Sequence, residues 1–189
     1  IKVLADGIVV DGFTVQNTQD NAIVSGGNFG GASANVSIIN NRVLDVQAGN
    51  GIYTNGPYPA ATDWTIRHNL VRNVVSNIGS GINYWAASGG LVADNHVEQS
   101  GFAGIQAVNS RNVQVLHNTI ASTAHSGINV GTTNAGAIAD ALTVIGNSLS
   151  DTNTGASVAE GGLTLSDGAT NVVFACNSVA GNGSNGFAT

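Results

Sequence analysis

The sequence has few charged residues and a single cysteine, and these scarcities exclude several classes of protein. Five Lys plus Arg against eleven Asp plus Glu give a net charge of −6. Nucleic-acid binding needs clustered cations that displace counterions, so we expect no nucleic-acid partner. The same charge balance disfavours an anionic membrane surface. Cys176 is the one cysteine, which excludes an internal disulfide framework.

Long apolar runs and methionine are also lacking. No apolar stretch approaches the roughly 18 residues of a membrane span, so membrane insertion is not expected. The first ten residues, IKVLADGIVV, lack the layout of a signal peptide. With no Met at all, residues 1–189 are interpreted as one domain that is a segment of a longer, exported chain. Only 8% of the residues are charged, and a surface of uncharged polar groups suits sugars better than phosphates.

The sequence does contain an imperfect repeat centred on asparagine. In each copy, alternating apolar residues precede an Asn, as in VQVLHNTIAS. The Asn recurs at intervals of 23 to 30 residues, at Asn41, Asn69, Asn95, Asn118, Asn147 and Asn177. A leading copy, IVVDGFTVQN, has Gly12 in the Asn place. Each later copy also carries a second signal, at Gly51-Ile52, Gly81-Ile82, Gly104-Ile105, Gly127-Ile128, Gly162-Leu163 and Gly186-Phe187.

Repeats of this length indicate a stacked array of structural units. Alternation with period two, rich in Val, Ile and Thr, favours strands over helices. Propeller blades need about 40 residues for four strands, so we predict an all-β parallel β-helix (a solenoid) of about 6–7 coils, roughly 30 Å long. Equivalent residues then stack into inward ladders, one formed by Ile66, Val92, Val115, Val144 and Val173, the other by Ile52, Ile82, Ile105, Ile128 and Leu163.

The repeated Asn residues are predicted to form a structural ladder at a sharp bend. Asn tolerates a left-handed backbone, and its amide can bond to the Asn above and below it.

The stretch VQVLHNTIASTAHSGINV resembles the repeats of right-handed parallel β-helix proteins, the pectate-lyase-like superfamily, and the resemblance extends over residues 8–187. It implies a right-handed solenoid. The superfamily includes polysaccharide lyases, glycoside hydrolases, uronan epimerases, phage tailspikes and non-catalytic surface proteins, so activity stays open. Its members usually cap the coil stack, and no end cap is evident in this sequence. Flanking domains or end-to-end self-association are therefore expected.

A candidate polysaccharide-binding face follows from the inward Ile residues, because the residue after each of them points outward. Planar amides and aromatic rings suit sugar hydroxyls and sugar faces. The outward set includes Thr164, and the predicted carbohydrate-binding residues are Tyr53, Asn55, Tyr58, Asn83, Trp85, Gln106, Asn109 and Asn129.

Two weaker groups are candidates for catalysis. The residues taken to precede the repeated Asn are Asp11, Asn40, His68, Asp94, His117, Gly146 and Cys176. Among them His68, Asp94 and His117 would stack, so the carboxylate could orient a base or help to bind a metal; the alternative is ordinary hydrogen bonding at the bend. The second group is Arg72, His96 and Glu98. Arg72 and Glu98 should form an ion pair between coils, and a lyase or epimerase needs such a base and cation.

Other motifs are missing. No coil presents the clustered carboxylates of a calcium-dependent lyase or an inverting hydrolase. The Gly-rich stretch GGNFGGAS at 26–33 precedes no helix and is not a phosphate cradle. We therefore expect no cofactor and no metal. Three hypotheses remain: an extracellular or cell-surface scaffold that contacts polysaccharide, the catalytic core of a polysaccharide lyase or uronan epimerase, and a self-assembling fibre subunit.

Overall fold

The computed structural model describes residues 1–25, 32–133, 137–155, 157 and 159–189, and the regular structure in these ranges is β-strand. Most of the Gly-rich stretch at 26–33 lies outside them. None of the described residues belongs to a helix that could cross a membrane.

The chain forms short strands separated by tight turns and loops. In chain order they are β1 (Lys2–Val3), β2 (Val9–Asp11), β3 (Thr14–Thr18), β4 (Ile23–Ser25), β5 (Ser33–Ala34), β6 (Ser37–Ile39), β7 (Arg42–Val46), β8 (Ile52–Thr54), β9 (Ala61–Thr62), β10 (Thr65–Arg67), β11 (Leu70–Val74), β12 (Ile82–Tyr84), β13 (Ala87–Ser88), β14 (Leu91–Ala93), β15 (His96–Ser100), β16 (Ile105–Val108), β17 (Gln114–Leu116), β18 (Thr119–Thr123), β19 (Ile128–Gly131), β20 (Ala139–Asp140), β21 (Thr143–Ile145), β22 (Ser148–Ser150), β23 (Gly161–Leu165), β24 (Ala169–Thr170), β25 (Val173–Ala175), β26 (Ser178–Ala180) and β27 (Asn185–Ala188).

Three long parallel sheets run along the molecule, and every strand pairs with its counterpart one coil away. Sheet A has the order β1-β4-β8-β12-β16-β19-β23-β27, sheet B the order β2-β6-β10-β14-β17-β21-β25, and sheet C the order β3-β7-β11-β15-β18-β22-β26. Sheets B and C have seven strands each, which corresponds to six full turns from first strand to last. The predicted parallel β-helix is confirmed.

A shorter ladder lies between sheets A and B. Strands β5, β9 and β13 form one part of it, and β20 and β24 form another. Arg111 joins the two parts through isolated parallel bridges to Ser88 and Asp140. Every coil from β5 onwards therefore contributes a residue to this ladder.

The inward ladders form the core, as predicted, with one correction. Ile52, Ile82, Ile105 and Ile128 pair in register and are fully buried. In sheet B, however, Val144 pairs with Phe174 and not with Val173. Val173 is 50% exposed, because it stands four residues before its Asn whereas the inward residue of each coil stands three before.

The Asn ladder consists of Asn41, Asn69, Asn95, Asn118, Asn147 and Asn177, at the turn between sheets B and C. Each Asn from Asn41 to Asn147 donates from Nδ2 to Oδ1 of the Asn in the next coil, over 2.9–3.0 Å. Its backbone N–H donates to the same oxygen. These five side chains are buried, and the predicted hydrogen-bonded stack is confirmed.

The left-handed backbone position in this turn differs from the prediction. It falls on the residue before each ladder Asn, with φ of 56° at His68, 52° at Asp94 and 53° at His117. Gly12 also takes this position, with φ of 74°, so Phe13 stands in the Asn place and its N–H donates to Asn41 Oδ1 over 3.0 Å. The ladder Asn residues keep ordinary φ because their amides make the bonds between coils.

Candidate functional site

The outer ladder is the row of residues on sheet A that directly follow the inward Ile and Leu residues, and its members pair in register. Tyr53 pairs with Asn83, Asn83 with Gln106, Gln106 with Asn129, and Asn129 with Thr164. Apart from Tyr53, these side chains are only 5–9% exposed. This burial distinguishes them from an ordinary solvated sheet face and leaves Tyr53 as the accessible member of the row. Burial also raises the pKa of Tyr53, so its phenol stays a neutral donor.

Hydrogen bonds tie the outer ladder to its flanks. Ser80 Oγ donates to Gln106 Oε1 over 3.0 Å, and Ser166 Oγ donates to Asn129 Oδ1 over 2.8 Å. Asn83 Nδ2 donates to Asn50 Oδ1 over 3.3 Å. Asn83 Oδ1, in contrast, is buried and has no hydrogen-bond partner among the residues that the structure describes. Because this oxygen is buried, a ligand cannot reach it unless neighbouring side chains move.

The remaining predicted carbohydrate-binding residues follow the strands of sheet A. Asn55 comes directly after β8, and its N–H donates to Ser25 Oγ over 2.7 Å. Trp85 comes directly after β12 and is half-buried. These two residues therefore flank the outer ladder at the carboxyl ends of its strands.

A cavity of about 160 Å³ lies farther along the same loops. We call it the Arg111 cavity, and its lining residues are Tyr58, Asn109, Arg111, Ala137 and Ile138. Tyr58 and Asn109 were predicted from the sequence, whereas Arg111 and its two aliphatic neighbours were missed. The available signal was that Arg111 is one of only five Lys and Arg residues. Its guanidinium carbon lies 5.2 Å from the centre of the Tyr58 ring.

The stack of His68, Asp94 and His117 occupies equivalent positions in three successive coils. His68 and His117 are exposed. The carboxylate is engaged by Arg67, whose Nε donates to Asp94 Oδ2 over 2.8 Å. Among the described residues, no three His, Cys, Asp or Glu side chains are grouped so that they could hold a metal ion. Arg67 was not anticipated from the sequence, and its bond favours the structural interpretation of this row.

The second catalytic candidate group lies on the outside of sheet C. Arg72 pairs in register with Glu98, and Arg72 Nη1 lies 3.6 Å from Glu98 Oε1. His96 Nε2 lies 3.3 Å from Glu98 Oε2. The predicted ion pair between coils is thus present, with half of the Arg72 side chain open to solvent.

Because this pair is exposed, we expect it to contribute little to stability. A double-mutant cycle of Arg72→Ala and Glu98→Ala should give a coupling free energy of about 0–1 kcal/mol that falls as salt is added. Urea unfolding at low and high NaCl measures it. A coupling well above that range, unaffected by salt, would show that the trio is a buried electrostatic unit.

One histidine–carboxylate contact was missed by sequence reasoning. His125 Nδ1 lies 2.6 Å from Glu160 Oε2, and the His125 ring lies 4.7 Å from the Phe102 ring. Both polar residues belong to turns that lead into sheet A. They are separated by 35 residues and by a loop of irregular length, so the repeat gave no signal for their contact.

Comparison with known proteins identifies the architecture. Residues 3–179 match the family model described as a right handed beta helix region. The chain belongs to the right-handed β-helix family. The predicted handedness is thereby confirmed. No curated protein matches the chain in sequence.

A solved structure with the same fold is that of the Dettilon tailspike protein. It is 19% identical to this right-handed β-helix with a TM-score of 0.66, and the match covers 94% of this chain and 37% of the tailspike chain. The chain thus spans well under half of that protein. At this identity the likeness shows the fold alone.

Within this right-handed β-helix, the predicted site residues fall into separate places. The outer ladder lies on sheet A, whereas Arg72, His96 and Glu98 lie on sheet C. His68, Asp94 and His117 lie at the turn between sheets B and C. The structure therefore places most carbohydrate-binding candidates at the outer ladder, puts Tyr58 and Asn109 in the Arg111 cavity, and leaves the catalytic candidates apart from both.

Proposed function

We propose that this right-handed β-helix is a rigid extracellular or cell-surface module that contacts polysaccharide along the outer ladder, through Tyr53 in that row and Trp85 beside it. The observation that carries the proposal is a row of side chains in register over five coils, at which Tyr53, Asn55 and Trp85 remain partly exposed. Repeating amides at the strand spacing of about 4.8 Å suit a repeating polymer.

Two partly exposed aromatic side chains support this interpretation. Asn83 Oδ1 is buried and out of reach of a sugar hydroxyl, so the accessible aromatic side chains provide the contacts. Tyr53 supplies a neutral phenol and an aromatic face, and Trp85 supplies a larger one. Ser80 and Ser166 fix the side-chain amides of Gln106 and Asn129, so little side-chain entropy is lost when a ligand binds.

We expect the Tyr53→Ala/Trp85→Ala double variant to lose most of the affinity for polysaccharide, by about tenfold or more, because aromatic anchors dominate binding surfaces. Affinity electrophoresis in gels that contain a panel of neutral and acidic polysaccharides measures it. Phe13→Ala is the matched control, since Phe13 is 55% exposed and lies at the turn after β2, away from sheet A. Equal retention of the wild type and the double variant would contradict the proposal.

A second candidate function, a polysaccharide lyase or uronan epimerase, gains support from one observation. The short contact of His125 Nδ1 with Glu160 Oε2 has the form of a histidine oriented by a carboxylate, which is the arrangement of a general base. Incubation of uronan polymers with the protein, followed by ultraviolet absorbance for the unsaturated lyase product and NMR for epimerised residues, tests it. Unchanged polymers in both assays would leave the scaffold function.

A further inference from the structure

The geometry points to the Arg111 cavity as a binding site for the oxyanion substituent of a sugar unit, either a carboxylate or a sulfate ester. This inference rests on the proposed function, since the cavity lies in loops that continue from sheet A. It also specifies the chemical class of the ligand, which is an acidic glycan and not a neutral one.

Arg111 is positioned by the backbone and keeps its guanidinium available. Its N–H donates to Ala87 O over 2.9 Å, and its carbonyl accepts from Gly89 N–H over 2.8 Å. All eleven Asp and Glu residues belong to the described part of the chain. The ion pairs found there within 4.0 Å involve Arg67, Arg72, His96 and His125. Arg111 is thus without a carboxylate partner in that part of the chain.

The nearest candidate partner, Asp140, is bonded to other groups. It accepts from Thr170 Oγ1 over 2.6 Å and from Asn171 Nδ2 over 2.8 Å. These two hydrogen bonds are the largest causes of its lowered pKa, and Arg111 is the smallest. Asp140 therefore keeps its negative charge in the coil next to Arg111 without neutralising it. An anion in the cavity would accept hydrogen bonds from the Arg111 guanidinium, and the charge of Asp140 would repel it to a smaller extent.

The walls of the cavity suit a sugar ring. Tyr58 stacks on the guanidinium, and Ile138 presents an exposed aliphatic side chain. The amide of Asn109 is fixed by two hydrogen bonds with Thr133, both of 3.0 Å. The volume of about 160 Å³ is roughly half of the smallest drug-sized pockets, which start near 300 Å³. One charged sugar unit fits this space better than a longer segment does.

The test uses three monosaccharides that differ in one substituent: glucuronate, glucose 6-sulfate and glucose. The sequence has four arginines, so their Nε–Hε signals are few, and Arg111→Lys assigns the signal of Arg111. We expect this signal to shift on titration with glucuronate or glucose 6-sulfate and to stay in place with glucose. A shift with only one of the acidic sugars identifies the carboxylate or the sulfate ester as the ligand group.

Arg42 is the internal control, because it is exposed on sheet C, away from the cavity. Equal shifts at Arg42 and Arg111 would mean nonspecific anion binding and would overturn the inference, as would the absence of any shift at Arg111.

The same titrations on variants measure how much each charged side chain contributes to the affinity. Arg111→Gln should weaken binding of the acidic sugar by about tenfold, since it removes the charge and the fork. Asp140→Asn should strengthen it by about twofold, because a repelling charge is lost. Backbone bonds position residue 111, so Arg111→Gln is expected to keep the wild-type melting temperature. Unchanged affinity in this variant would also overturn the inference.

Failure of this inference is distinguishable from failure of the proposed function. If the Arg111 signal shifts but Tyr53→Ala/Trp85→Ala keeps full retention on polysaccharide gels, the cavity is an anion site and the outer ladder does not bind polysaccharide. If retention is lost in that double variant but the Arg111 signal never moves, the outer ladder binds polysaccharide and the cavity is not an anion site.

Discussion

Replacing Asn95 with Ala is expected to lower the free energy of unfolding by about 3–5 kcal/mol. Asn95 Oδ1 accepts from both nitrogens of Asn69 over 3.0 Å, and its Nδ2 donates to Ile66 O and to Asn118 Oδ1. The side chain is 2% exposed, so water cannot replace these bonds. The variant leaves a buried Asn69 N–H and the Ile66 carbonyl without these partners.

Urea unfolding monitored by tryptophan fluorescence measures this loss, since Trp64 is fully buried in the neighbouring coil. Asn77→Ala is the control: Asn77 is exposed in the turn that leads to sheet A, and its replacement should change stability by less than about 0.5 kcal/mol. Asn95→Asp is a second probe, because it keeps the shape and the acceptor but loses the two Nδ2 donations. A loss below 1 kcal/mol for Asn95→Ala would show that the coils do not depend on the ladder.

The repeat predicted the coils well because one position in each coil has a strong chemical requirement. An Asn in the turn between sheets B and C satisfies backbone groups of two coils at once, so its recurrence sets the register of all three sheets. The same register would have placed Phe174 inward. Because Val173 and Phe174 are adjacent and both apolar, the alternation of residues does not show which of them points inward. Only the distance to Asn177 identifies Phe174 as the inward residue.

The left-handed position was misplaced for a related physical reason. Asn is the residue that most readily adopts positive φ after Gly, which suggested the ladder Asn itself. In the structure its amide is already used between coils, and the preceding residue makes the bend, whether it is His68, Asp94 or Cys176. Intrinsic preference was thus overridden by hydrogen bonding that depends on neighbouring coils.

The candidate site was predictable only where it follows the repeat. Tyr53, Asn83, Gln106 and Asn129 were placed in one row because they hold a fixed distance from Gly-Ile. The contact of Tyr58 with Arg111 joins loops two coils apart, and loop lengths vary between coils, so no spacing rule applies. Their meeting could be found only in three dimensions.

The glycine before each inward Ile gives the second prediction of large effect. We expect Gly104→Ala to lower the free energy of unfolding by about 3 kcal/mol, at the upper end of the cost of overpacking a core. A Cβ at this position would lie 2.4 Å from Ile120 Cγ2 and 2.7 Å from Gly127 O. Both neighbours are constrained, since Ile120 is fully buried in β18 and Gly127 occupies the same position in the next coil.

Gly186→Ala is the matched control for this substitution. Gly186 holds the equivalent position before Phe187, but a Cβ there would lie more than 4 Å from every described neighbour. The unfolding curve of Gly186→Ala in urea should therefore match that of the wild type. Combining Gly104→Ala with Ile120→Ala should cost less than the sum of the two single variants, because the second change removes one of the two clashes. Additive losses would mean that the Gly127 carbonyl alone sets the spacing of the coils, and an unaffected Gly104→Ala would refute the close approach of backbone and core that explains the recurring glycine.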